Sequence, residues 1–111
     1  MKYTEYVFLD SVIDNIKTEA LFEIATERAR GTELIRFTLN SKDAESRVRL
    51  KNAMIRFMKS LKTKGTIQFY AFAEAFSENS TEAMFLKNKY PDIFKDTPCD
   101  GEGAFFVFVR I

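Results

Sequence analysis

Between Lys42 and Lys64 the sequence sets eight basic residues, Lys42, Arg47, Arg49, Lys51, Arg56, Lys59, Lys62 and Lys64, against two acidic ones, Asp43 and Glu45. Eight against two leaves a surplus of six in this window; with a net charge of +1 for the whole chain, the remainder is acidic by five. The charge is also arranged. At about 100° per residue on a helix, Leu50, Met54, Phe57, Met58 and Leu61 fall on one side, and Arg49, Arg56, Lys59 and Lys62 on the other. An apolar face of this kind packs on a core, which leaves the cations as a candidate binding ridge. The ridge could neutralise nucleic-acid phosphates and gain affinity from released counterions. It could equally meet an acidic protein surface, including Glu19, Glu23 and Glu27 of a second copy in a homo-oligomer. The plain alternative is a solvated helix face. A net charge of +1 argues against a protein dedicated to coating DNA.

Catalytic chemistry is narrowed by what is missing. The chain has no His and one Cys, which removes imidazole-based triads, Cys/His zinc sites, His-ligated haem and proton shuttling near neutral pH. Cys99 can form no internal disulfide. Its neighbours Asp96 and Asp100 oppose the thiolate that a nucleophile requires. Acid–base work would fall to carboxylates: Glu74, Glu78 and Glu82 could converge at a strand end, with the loop from Asp96 to Glu102 beside them. Solvated glutamates account for the same residues. The alternative reading is therefore a small enzyme built on Glu74 and that loop. The balance leans away from an enzyme, and no catalytic residue, metal or cofactor is expected.

Three further patterns fail on spacing. If Asp96 opened a calcium loop of the EF-hand kind, its third position would be Pro98 and its twelfth Val107, neither of which supplies a side-chain oxygen. Gly101-Glu102-Gly103 precedes a strand, whereas a dinucleotide fingerprint follows one and opens a helix. The run from Gly103 to Phe108 departs from the ribonucleoprotein motif of RNA-recognition domains, because Glu102 stands where a basic residue belongs. Core packing explains its phenylalanines.

The elements that must position these residues follow from periodicity. Thr4 to Leu9 is β-branched and aromatic and reads as a strand, although Tyr6, Leu9, Ile13 and Ile16 also fit a helical stripe. Ser11 with Asp14 resembles a capping box. Ile13, Ile16, Ala20, Ile24 and Ala25 then continue a helix to Gly31, with Glu19, Glu23 and Glu27 as an outer acidic ridge. Glu33 to Leu39 alternates as a strand wet on one side, with Ile35, Phe37 and Leu39 inward. Asn40 or Ser41 caps the basic helix, which runs to about Thr63 and stops at Gly65. Thr66 to Ala73 reads as a strand. Ser80 or Thr81 opens a short helix, Glu82 to Lys89, which Tyr90-Pro91 ends. Asp92 to Gly103 reads as a loop. Ala104 to Ile111, apolar on both faces, belongs in the middle of a covered sheet.

Strands alternating with helices define an α/β chain: a mixed sheet of three or four strands with two long helices and one short helix. The composition is that of a globular protein, 46% hydrophobic and 30% charged, and no linker divides residues 1–111, so one domain is expected. No run approaches the roughly 18 apolar residues of a membrane helix. Glu5 and Asp10 would interrupt a secretory leader, so a cytoplasmic protein without membrane attachment is expected. The function class best supported is a non-catalytic binding module using Arg49, Arg56, Lys59 and Lys62.

Overall fold

Ala104–Phe108 forms a strand in which all five residues are buried, and a strand apolar on both faces is stable only where both are covered. The computed structural model describes residues 3–8, 13–39, 44–72, 75–76, 78–96 and 104–109, and the side chains of 13–15 and 95–96 are outside the description. Its strands are β1 (Tyr3–Phe8), β2 (Leu34–Leu39), β3 (Phe69–Ala71) and β4 (Ala104–Phe108). They form one mixed sheet in the order β1-β2-β4-β3, which puts β4 inside. β1 and β2 are parallel, from Tyr3 opposite Leu34 to Phe8 opposite Leu39. β4 runs antiparallel to both neighbours, with Phe106 opposite Arg36 on one side and Ala71 on the other.

Parallel neighbours need a crossover. Helix α1 (Ile13–Ala29) joins β1 to β2, and α2 (Ala44–Lys64) carries the chain from β2 to β3, leaving a gap that β4 fills. Both long helices stop in the same way. Gly31 and Gly65 adopt φ of +81° and +80°, where a Cβ would be strained. Backbone N–H groups then reach back to the last turn: Gly31 to Arg28 and Thr32 to Glu27 in α1, Gly65 to Lys62 and Thr66 to Leu61 in α2. These are the paired bonds of the Schellman motif.

Alternation along the strands divides the interior into two cores. Ile35, Phe37, Leu39, Phe105 and Val107 point to one face. There they meet Ile16, Ala20 and Ile24 of α1 and Leu50, Met54, Met58 and Leu61 of α2. Leu34, Phe106, Phe108 and Ala71 point to the other, under Leu86, Tyr90, Ile93 and Phe94. Two short helices supply that second cover: α3 (Thr81–Lys89), capped by Ser80 Oγ accepting from the Ala83 N–H at 3.2 Å, and α4 (Pro91–Asp96). Both long helices therefore lie on one face, in a single compact globule with a radius of gyration of 13.1 Å.

The structure corrects some boundaries. The loop read from Asp92 to Gly103 begins instead as α4. Pro91 takes the first helical position, where its fixed φ fits and its missing N–H costs nothing, and Asp92 follows in the first turn. Packing settles the choice between turn and helix: the Phe94 ring lies 4.7 Å from that of Phe106. β3 is three residues long, not the span Thr66 to Ala73, although Ile67 is buried before it begins. β4 ends at Phe108, after which the Val109 N–H still donates to the Glu33 carbonyl at 2.8 Å. The candidate caps Ser11, Asn40 and Ser41 and the segment 97–103 lie outside the described residues.

Phe105 and Phe106 are both fully buried, one in each core. Replacing either with Ala should cost about 3 to 5 kcal/mol, the range for a buried aromatic truncation. Chemical denaturation of Phe105→Ala and Phe106→Ala, compared with the parent, checks this; a loss at only one position would mean that one face is not a true core.

Candidate binding face on the long helices

The apolar side of α2 sits as its spacing demands, with Leu50, Ala53, Met54, Met58 and Leu61 buried and Phe57 partly so. Arg49, Arg56, Lys59 and Lys62 are exposed on the opposite side. The Arg49 Nη2 donates to Glu45 Oε1 at 3.3 Å, an exposed pair one helical turn apart. Such pairs contribute about 0.3–0.5 kcal/mol. Among the described residues, the side chains of Arg56, Lys59 and Lys62 have no acidic partner. One apolar side chain shares the outward face: Val48, next to Arg49 and about two turns before Arg56, is 59% exposed.

The flanks of the two helices can be oriented from their contacts. Ile55 and Lys62 border Tyr70 and Phe72, so that flank of α2 overlooks β3. The flank bearing Arg49 and Arg56, seven residues apart, therefore turns toward α1. In α1, Glu19 accepts from Tyr6 Oη at 3.1 Å, which places its flank over β1. The opposite flank carries Lys17, Leu21 and Arg28, whose spacing of four and then seven residues keeps them in line. Lys17 and Arg28 are exposed. They were not singled out from the sequence because α1 has no local surplus of positive charge; only the topology shows that its cationic line borders that of α2.

The acidic ridge read on α1 is corrected. Glu27 is buried, accepting from Thr32 Oγ1 at 2.7 Å and Arg30 Nη1 at 3.0 Å. Glu19 and Glu23 are half-buried. Burial, and then the charge of Glu27, raises the carboxyl pKa of Glu23. The outward line of α1 is instead apolar, with Leu21 and Phe22 exposed. The glutamates recur at four-residue steps, but that period also matches a line that tilts into the sheet.

For the alternative enzyme reading, Glu78 and Glu82 border an open depression of about 500 Å3 with Lys62 and Ser80. Glu78 is exposed and Glu82 half-exposed, and no hydrogen bond joins them. Glu74 and the loop residues 97–102 lie outside the described residues, as does the side chain of Asp96. No group of three or more acidic or Cys side chains that could hold a metal occurs among the described residues, and no described helix is long and apolar enough to cross a membrane. No protein-family model, curated protein or solved structure matches the chain.

A second polar cluster lies at the other end of the sheet. Tyr90 Oη donates to Glu33 Oε1 at 2.7 Å, and Lys89 Nζ lies 3.4 Å from the same oxygen. The Tyr90 hydrogen bond, followed by Lys89, holds the Glu33 pKa below its ordinary value despite partial burial. Burial first and then the Glu33 contact push the Tyr90 phenol upward. A carboxylate whose pKa is lowered by folding stabilises the fold above its unfolded pKa, and that contribution disappears as pH falls through the folded value. Stability should therefore drop through the acid carboxylate range, and Glu33→Gln should flatten the drop. Denaturant midpoints measured from neutral to acid pH for both forms check this; an unchanged slope would remove Glu33 from the account.

Proposed function

We propose that this chain is a non-catalytic interaction module whose α2 outer face docks on an acidic protein surface. The observation that supports this reading is exposed Val48 on the same outward face of α2 as exposed, unpaired Arg56, Lys59 and Lys62. A phosphate backbone offers nothing to an aliphatic side chain, whereas protein interfaces join an apolar centre to a charged rim. Charge on the rim steers the partner and selects it, and Lys17 and Arg28 extend the cationic field onto α1. The glutamates of a second copy make a poor counter-surface, since Glu27 is buried and Glu19 is held by Tyr6. The partner is therefore a different acidic chain.

The test uses an acidic helical peptide with one apolar stripe, with duplex DNA in parallel. The peptide should bind the parent, and Arg56→Glu combined with Lys59→Glu should weaken it by about tenfold or more, since each decade corresponds to about 1.4 kcal/mol. The fold should be unchanged, because both residues are exposed. Val48→Ser, which removes the apolar contact without changing the charge, should weaken the peptide and barely affect DNA. If DNA binds more tightly than the peptide, with a steep salt dependence that the double reversal flattens, nucleic acid is the partner. If neither ligand binds, the ridge is a solvated face.

A further inference from the structure

Lys89, in the last turn of α3, holds its ammonium against three aromatic rings and one carboxylate. Its Nζ lies 5.2 Å from the ring centre of Phe108, 5.7 Å from Phe85 and 5.8 Å from Tyr90, and 3.4 Å from Glu33 Oε1. Phe85 and Phe108 meet edge to face, their centres 5.4 Å apart. These groups come from α3, the residue that ends it, β4 and the approach to β2, so the fold gathers them from distant parts of the chain. Beside the ammonium opens a cavity of about 380 Å3 that Glu33, Gln68, Phe85 and Phe108 help to line.

The arrangement is that of an aromatic cage, in which the negative ring faces attract a cation and a carboxylate supplies net charge. Lys89 fills it loosely. Its distance to Glu33 exceeds the roughly 2.7–2.9 Å of a strong charged hydrogen bond, and its side chain is 44% exposed. We propose that this cage is a binding site for an alkylammonium group of a ligand, and that Lys89 occupies it as an internal stand-in until the ligand displaces it. The donor set selects that chemistry. A guanidinium is held best by both oxygens of a carboxylate in a fork, and here it would have to share Glu33 Oε1 with the Tyr90 hydroxyl. A divalent cation needs several oxygen ligands, and the cage offers one carboxylate. A methylated ammonium needs only ring faces and nearby negative charge. Methylated lysine side chains and choline headgroups share this chemistry.

The test titrates the full chain with tetramethylammonium, following the ring resonances of the cage by NMR. Saturable shifts are expected, and Lys89→Met should bind on the order of tenfold more tightly, because an internal competitor reduces apparent affinity by the fraction of time it holds the site. Lys89→Gln gives the same comparison if Met perturbs the fold, which circular dichroism monitors. Phe85→Ala, at a half-exposed position, should abolish the shifts while the chain remains folded. Choline should bind more tightly than its uncharged carbon isostere, and comparing choline with a trimethyllysine peptide assigns the source of the cation. The proposal is overturned if the folded Lys89 variants bind tetramethylammonium no more tightly than the parent, or if the uncharged isostere binds as well as choline.

Discussion

The arrangement of this molecule depends on burying β4 on both faces. Its five residues come last among the described elements and lie in the middle of the sheet, so neither core is complete until they arrive. Each face is then joined across the strands by rings. On the long-helix face, Phe8 stacks on Phe37, Phe37 on Phe105 and Phe105 on Phe72, at centre distances of 5.5, 5.2 and 4.4 Å. On the opposite face Phe106 meets Phe76 and Phe94, while Phe108 meets Phe69. Offset or tilted aromatic pairs add about 0.5–1.5 kcal/mol each beyond the area they bury. The abundance of Phe is thus explained by structure before any appeal to ligand stacking.

The position of β4 also determines where the charged helices lie. Because β1, β2 and β3 leave a gap for an antiparallel insert, both crossover helices are laid on the same face, side by side. The inner sides of α1 and α2 are spent on one core. Their outer sides form a continuous surface that the sequence treats unequally: cations and Val48 on α2, Leu21 and Phe22 on α1, with Phe22 71% exposed. Two helices read separately give a ridge; set side by side they give a field that includes Lys17 and Arg28. This is why a modest charge surplus can matter for association even at a net charge of +1, since steering depends on where charge is concentrated and not on its sum.

Much of the fold was legible in the sequence because the signals were local. The helix stops at Gly31 and Gly65, the inward set Ile35, Phe37 and Leu39, and the two-faced run of β4 each follow from spacing and backbone chemistry. The β-branched and aromatic content of the run from Thr4 to Leu9 correctly outweighed the competing helical stripe, and the strand spans Tyr3–Phe8. Long-range competition hid the rest. The Pro91-Asp92 pair suits a turn and a helix start equally, and contact between Phe94 and Phe106, twelve residues apart, decided for the helix. The glutamates of α1 were assigned outward by polarity alone, but Tyr6, Thr32 and Arg30 provide hydrogen bonds that let them turn inward. A polar group buries readily where partners await it; Tyr6 lies on β1, and Arg30 and Thr32 are brought round by the turn that ends α1. Of the candidate site, the α2 cations stood where their period placed them, whereas the cage around Lys89 draws on residues as far apart as Glu33 and Phe108 and leaves no pattern along the chain.

The two faces of the sheet also differ in how firmly they are closed. One carries helices of 17 and 21 residues, whose packed sides exclude solvent from a continuous core. The other is covered by helices of nine and six residues, which bury Phe106 and Phe108 of β4 but not every ring of their own. Phe85 is left 40% exposed, and the gap beside Phe108 is reached by Lys89 and by solvent. Short elements with few buried contacts open at lower free energy than a packed core, so rearrangement around a ligand costs less on this face. The two covers therefore differ across one sheet: the long helices close a continuous core and present charge on their outer sides, while the short ones leave the ring of Phe85 and the ammonium of Lys89 at the surface.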